Sequence, residues 1–294
     1  MPEVRDAVIL AGGVGTRMLP ASLYMPKETM PLVDTPIINH LIWEAAKAGV
    51  SRVHLVLSKR KYEILSEFIN FGEIHDKGVR SDLPREALSL DYQGIEIVPH
   101  IQSNPGGVAD AVSVVLGDIN GPLLVILGDM LILDKHVGPI HSGAEEASSA
   151  SLSMVSKFEE TGLPCVGLFQ VEMDQTCNYG VAILDGENVE GIVEKPEIGS
   201  APSNYVLCGR YILPANTEEI LRLFPIEEFG EMQSIFLLNH LIETSGLIAV
   251  KMGQMMMYDS GNPIAWLKSQ IDHALRRDDI EFLIREWLEN RLSE

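Results

Sequence analysis

A short apolar run that breaks directly into glycines constrains this chain more than any other feature. Ala7, Val8, Ile9, Leu10 and Ala11 leave no polar face, and Gly12, Gly13 and Gly15 follow at once. A run of that length without alternation reads as a strand buried on both faces, which belongs in a parallel sheet covered by helices. Glycines straight after such a strand let the backbone approach a ligand, and their N–H groups can cradle phosphate oxygens. The loop is neither of the two common phosphate loops. No Gly-Lys-Ser/Thr follows, as a Walker A loop requires, and Met18 stands where GxGxxG needs its third glycine.

The rest of the pattern supports an α/β class. Thr35 and Pro36 offer an N-cap and a proline at the first helical position. Ile38, Leu41, Ile42 and Ala45 then recur at helical spacing, and Gly49 ends the segment. Strands are expected at 53–57, 95–98 and 123–127, with a helix over 108–116. Strand, helix, strand at this spacing gives a parallel sheet flanked by helices. Segments 166–171, 179–184, 189–194 and 205–213 read as strands joined by short polar turns, so antiparallel pairing is expected there. In the tail, Ile280, Leu283, Ile284, Trp287, Leu288 and Leu292 form one apolar stripe. It fits either packing on the chain's own core or a subunit contact. No internal repeat or low-complexity linker divides the chain, and one compact unit is expected.

Charge narrows the function. A net charge of −20, from 22 Lys+Arg against 42 Asp+Glu, argues against nucleic acid or an anionic membrane as partner. Residues 1–60 run the other way, with seven basic against five acidic side chains. A basic segment in an acidic protein suits one anionic ligand, although chance would give the same count. No apolar run approaches the ~18 residues of a membrane span. The N-terminus lacks the order of a signal peptide. Cys165, Cys177 and Cys208 form no CxxC, so neither a disulfide framework nor a zinc site is expected, and a cytoplasmic location is.

Chemistry-bearing residues follow the glycine loop. Arg17 comes first, then Pro26-Lys27-Glu28, then Met30-Pro31-Leu32-Val33-Asp34-Thr35-Pro36. Arg17 and Lys27 stand where they could neutralise a bound anion. Asp129 lies just past the strand at 123–127, at the edge where α/β sheets bind ligands. Asp259 follows Met255, Met256 and Met257, a run that reads as buried packing. Either aspartate alone could cap a turn. Together they are the carboxylate pair that a hard Mg²⁺ ion takes, with phosphates and water filling its other positions. Gln102 carries both a hydrogen-bond donor and an acceptor. The eight histidines show no ligand spacing, and there is no GxSxG or HExxH.

Taken in order, AGGVGTR, PKE and MPLVDTP resemble the opening motifs of the sugar-1-phosphate nucleotidyltransferase family, nearest its bacterial-type uridylyltransferases. Gln102-Ser-Asn-Pro105-Gly106-Gly107 is similar to the family's base-binding QxxPxG, and Gly128-Asp129 to its metal-binding GD. Tyr179-Gly180-Val181, Val193-Glu194-Lys195-Pro196 and Tyr258-Asp259-Ser260-Gly261 resemble its YGV, VEKP and YDxG. The resemblance spans nearly the whole chain. It implies a Rossmann-like, mixed but mainly parallel sheet with an antiparallel sugar-binding part and C-terminal helices, all in a single domain over 1–294. Its parts would be 1–135 for nucleotide, 136–262 for sugar phosphate and 263–294 for the tail helices. It also implies nucleotidyl transfer from UTP to a sugar 1-phosphate, glucose 1-phosphate first among them, giving UDP-glucose and pyrophosphate with Mg²⁺. By the same resemblance Leu10, Ala11, Gly12, Gly13, Gly15, Thr16, Arg17, Lys27, Gln102, Pro105 and Gly107 would bind nucleotide. Gly180, Glu194, Lys195 and Leu207 would bind the sugar phosphate, and Asp129 and Asp259 the metal. Arg17, Lys27 and Lys195 would act in catalysis, and a homodimer or homotetramer is implied.

The chemistry agrees with the resemblance. The attacking phosphate oxygen is already ionised at neutral pH, so no enzyme nucleophile is needed. The protein must offset anion–anion repulsion and align an in-line attack. Two departures stand out. Met130 follows Asp129 where many of these uridylyltransferases have a second aspartate, and Asp110 takes the place of a histidine. The stretch Gly107-Val-Ala-Asp-Ala111 also looks like the related thymidylyltransferases, which leaves dTTP as an alternative nucleotide. A non-catalytic nucleotide-sugar-binding paralogue is the alternative of another class, and a Rossmann oxidoreductase is disfavoured by the broken GxGxxG.

Overall fold

Successive side chains of β1 (Asp6–Leu10) enter two different cores: Ala7 and Ile9 one, Val8 the other. Strand side chains alternate between faces, so a strand covered on both sides has no polar stripe. The computed structural model describes residues 3–69, 82–84, 87, 94–103 and 106–293. The remaining strands are β2 (Pro31–Leu32), β3 (Thr35–Pro36), β4 (Arg52–Ser58), β5 (Glu96–Gln102), β6 (Leu123–Leu127), β7 (Met130–Leu133) and β8 (Cys165–Gln170). They continue with β9 (Gly180–Asp185), β10 (Asn188–Glu194), β11 (Tyr205–Leu213), β12 (Ile248–Lys251) and β13 (Met256–Asp259).

Among the described residues, one nine-stranded sheet runs in the order β5-β4-β1-β6-β11-β8-β12-β10-β9. Its first four strands are parallel. β11 is antiparallel to β6 and β8, β12 is parallel to β8, and β9–β10 is an antiparallel hairpin. The mixed, mainly parallel sheet read from the sequence is therefore present, with its antiparallel part from β8 onward. Two short pairs stand apart, β2–β3 and β7–β13.

The helices among the described residues are α1 (Ile37–Lys47), α2 (Lys59–Ile69), α3 (Val108–Ser113), α4 (Ala150–Thr161), α5 (Thr217–Leu221), α6 (Ile226–Phe229), α7 (Gln233–Thr244), α8 (Pro263–Ala274) and α9 (Glu281–Leu292). Ile38, Leu41 and Ile42 of α1 and Met154 and Phe158 of α4 fill one core. Val112 of α3, Ile220 of α5 and Leu237 and Leu241 of α7 fill the other. Fully burying such a side chain contributes ~1.5–3 kcal/mol. No described helix is long and apolar enough to cross a membrane.

Three expectations need correcting, and one alternative left open is decided. Thr35 and Pro36 do not open the helix: they form β3, and Pro36 is the cap of a helix that starts at Ile37. The pairing of β3 with β2 takes the backbone that a cap would have used. The helix expected over 108–116 stops at Ser113 and resumes as a 3-10 turn at Leu116–Asp118. β5 runs on to Gln102 rather than ending at 98, which puts Gln102 at the strand's end. The tail stripe does not pack on the chain's own core: α9 buries none of its residues, and Phe282, Leu283, Trp287 and Leu292 are 58–86% exposed.

Candidate active site

The glycine loop leaves β1 where three parallel strands end together. Ala11 N–H donates to Val56 O (2.9 Å) and Gly128 N–H to Leu10 O (2.9 Å). A Cβ at Gly128 would stand 2.6 Å from that carbonyl, so the close approach requires glycine. Gly12 packs against Gln102, with the carboxamide oxygen 2.7 Å from where a Gly12 Cβ would be. Gly15 adopts φ 71°, a left-handed conformation that favours glycine, and from it a 3-10 turn projects Arg17 into solvent. Gly13 and Thr16 are exposed, and nothing in the chain lies within 4 Å of a Cβ at Gly13. Pro105 lies outside the described residues.

Beneath the loop is a buried ion pair that the sequence did not single out. Lys61 Nζ donates to Glu28 Oε2 (2.7 Å) and to Ala11 O (2.7 Å). Burial pushes the Glu28 carboxyl up and the Lys61 ammonium down. The pair ties the Pro-Lys-Glu segment to the root of the glycine loop. Next to Glu28, Lys27 is 9% exposed and its Nζ meets Asp129 Oδ2 at 2.8 Å. Burial alone would raise the Asp129 carboxyl, but the Lys27 ammonium, with a backbone hydrogen bond and Arg17 adding to it, outweighs burial and holds that carboxyl below its ordinary value. Lys27 is thus a buried, paired cation.

The two aspartates come together through the β7–β13 pair. Asp259 is in register with Met130, and Ser260 N–H donates to Asp129 O (3.1 Å). Asp259 Oδ1 accepts from Gly261 N–H (2.5 Å). A Cβ at Gly261 would lie 2.6 Å from that oxygen and 3.0 Å from an Arg17 guanidinium nitrogen, so Arg17 stands beside Asp259. Asp129 and Asp259 therefore face one space, flanked by Arg17 on one side and Lys27 on the other.

The remaining predicted residues lie on the antiparallel part. A Cβ at Gly180 would meet Leu207 Cδ1 at 2.9 Å and Glu194 Oε2 at 3.0 Å, so these three are neighbours. Lys195 has φ 43°, a rare backbone for a side chain of its size. Its N–H donates to Tyr179 O (3.0 Å), and its Nζ lies 3.3 Å from Glu194 Oε1. Strain of this kind concentrates at functional sites. Arg17, Asp129, Gly180, Glu194, Lys195, Leu207 and Asp259 all line one open cleft of about 840 Å³. Lys27 and Gln102 do not line it; Lys27 meets it through Asp129, and Gln102 packs against Gly12 of the glycine loop. Lys268 of α8 also lines it, a cation that no motif marked. Gly107 also has a role in the packing of the chain. It has φ 94°, and a Cβ there would stand 3.0 Å from Glu231 Cα, so packing requires this glycine.

Such a cleft can bind a large polyanion along the end of the sheet. It offers cations at several points and a carboxylate pair for a divalent ion between them. A family profile described as nucleotidyl transferase matches residues 6–232. The chain is 31% identical, over 98% of its length and 99% of the relative's, to UTP–glucose-1-phosphate uridylyltransferase 1 of Staphylococcus saprophyticus. It is 32% identical, over 99% of its length and 97% of the relative's, to UTP–glucose-1-phosphate uridylyltransferase of Escherichia coli K12. A UTP-bound UGPase from Acinetobacter baumannii superposes with a TM-score of 0.81 at 26% identity, over 97% of this chain and 98% of that one. The glycine loop, the paired aspartates and relatives matched from end to end agree, and the chain belongs to the nucleotidyl transferase family.

Proposed function

We propose that the chain transfers the uridylyl group of UTP to glucose 1-phosphate, releasing UDP-glucose and pyrophosphate. The observation that carries this reading is one cleft lined by Arg17, Asp129 and Asp259 on the nucleotide side and by Gly180, Glu194 and Lys195 on the other. Relatives named for that reaction match over nearly the whole chain. A sugar-phosphate oxygen attacks the α-phosphorus of UTP, and the bond to the β-phosphate oxygen breaks. Arg17 and Lys27 hold the triphosphate, Lys195 draws in the sugar phosphate, and Glu194 accepts hydrogen bonds from sugar hydroxyls. Their shared task is to offset charge where two anions close.

Asp129 and Asp259 are the metal ligands in this reading. Among the described residues no group of three or more His, Cys, Asp or Glu is arranged to hold a metal ion. Two carboxylates alone suit Mg²⁺, which takes its other ligands from phosphate and water. A bound Mg²⁺ would neutralise phosphate oxygens and help hold them in line. The test is to incubate the pure protein with Mg²⁺, glucose 1-phosphate and each nucleoside triphosphate in turn, following pyrophosphate. Release with UTP, abolished by EDTA and restored by Mg²⁺, is the expected outcome. Release with dTTP alone would make the chain a thymidylyltransferase. No release while UDP-glucose still binds would make it a binding paralogue.

The exposed stripe of α9 supports assembly of a homodimer or homotetramer, and the described cysteines are all free, as in a reducing cytoplasm. Sedimentation should show an oligomer. Trp287→Asp, placing a charge in the middle of the stripe, should shift it toward monomer without lowering the melting temperature of the monomer. A native protein that sediments only as monomer would remove the assembly.

A further inference from the structure

Gln102 ends β5 with its side chain buried, and its amide is not free to turn. Its Nε2 donates to Asp110 Oδ2 at 2.5 Å, and the same oxygen accepts from Gly106 N–H at 3.2 Å. A carboxylate accepts hydrogen bonds and has no proton to give. Asp110 therefore dictates which end of the amide faces it. The nitrogen is drawn toward α3, and the oxygen is turned onto the glycine loop, against Gly12. Without Asp110 the two ends of an amide are nearly the same size and could exchange places.

We infer that Asp110 is a specificity-determining residue: by locking the Gln102 amide it presents a hydrogen-bond acceptor to the base, and so selects pyrimidines with a ring N3–H. This rests on the uridylyl-transfer reading, in which the base lies beside Gly12 and Gln102. Uracil and thymine carry a proton on N3 and can donate to Oε1. Cytosine carries a lone pair there and would face the oxygen's own lone pairs. A site built to pair one polar atom discriminates strongly against an analogue that leaves it unpaired. Asp110 makes no choice between uracil and thymine, which share the N3–H and differ only at a methyl group.

The experiment measures kcat/KM with UTP, CTP and dTTP, and calorimetric affinity for each, in the native protein, Asp110→Leu and Asp110→Ala. Leucine keeps the approximate size of Asp110 but accepts no hydrogen bond, so it no longer fixes the amide. The native protein should prefer UTP to CTP by on the order of 10² or more. Both variants should lose about tenfold or more of that preference while keeping the native dTTP-to-UTP ratio. Native protein without preference over CTP overturns the inference, as does an unchanged UTP-to-CTP ratio in the variants. A proportional loss with all three nucleotides also overturns it, since that is what a purely structural role would give. If the native protein releases no pyrophosphate, the transfer reading fails, and the affinity ratios still decide Asp110.

Discussion

Lys27→Met should lower kcat with UTP and glucose 1-phosphate by about 10²–10³, the scale of losing one preorganised electrostatic contact. The ammonium rests 2.8 Å from Asp129 and is nearly buried, so its position is set before substrate arrives. Charge concentrates as the two phosphates close, and a fixed cation then interacts more strongly than with either substrate alone. Methionine keeps the length of the stem and removes only the charge. The substitution also leaves Asp129 with less to oppose its burial. In the native protein that carboxyl lies below its ordinary value of 3.8. Its contribution to stability is therefore present above that value and lost as pH falls through the lower, folded one. The variant should be less stable than the native protein at neutral pH, with the difference closing in acid. Near-native kcat in a protein with a near-native melting temperature would remove Lys27 from the transfer step.

Much of the site was legible because its signals are local. Gly12, Gly15, Gly128 and Gly180 stand where a Cβ would strike a neighbour or where φ is positive, and each lies inside a short motif. Asp129 and Asp259 are far apart in sequence: Asp129 follows the buried β6, at the edge where a parallel sheet offers its ligand site, whereas Asp259 ends β13, outside that sheet, and was marked only by its motif. What could not be read was long-range pairing. Lys61 sits in a Lys-Arg-Lys run that looks like a solvated helix start, and nothing local says that its partners are Glu28 and Ala11. Nothing local in the sequence says that Gln102 donates to Asp110. The tail stripe had the same periodicity whether it faced this core or another copy's, and only the packing of α9 decides against this core. Thr35-Pro36 carries a strong cap signal, but pairing with β2 overrode it.

Arg210→Met should be the most damaging single change to stability, at about 3–5 kcal/mol, because it strands a buried carboxylate. Arg210 is fully buried in β11 and pairs bidentately with Glu44 of α1, Nε to Oε1 at 2.7 Å and a terminal nitrogen to Oε2 at 2.8 Å. Ser151 of α4 donates to the same carboxylate (2.5 Å), and Arg210 donates on to Met130 O (3.0 Å). The pair thus joins α1, α4 and β11 to the residue that follows Asp129. A charged residue inside the apolar run Val206 to Leu213 was itself a sign that a buried partner existed, and so was Glu44 within the apolar face of α1. Removing both charges is a different experiment from removing one. Two well-packed apolar side chains can replace a buried ion pair at little cost, whereas one leftover charge cannot be resolvated. Glu44→Leu combined with Arg210→Met should therefore recover most of the loss, short of the Ser151 hydroxyl and Met130 carbonyl left without partners. Chemical denaturation of the two singles and the double gives the coupling directly. Additive losses would show that the pair does not act as a unit. Recovery of stability without recovery of kcat would show that its second task is to hold the Met130 backbone, and Asp129 with it, at the edge of the cleft.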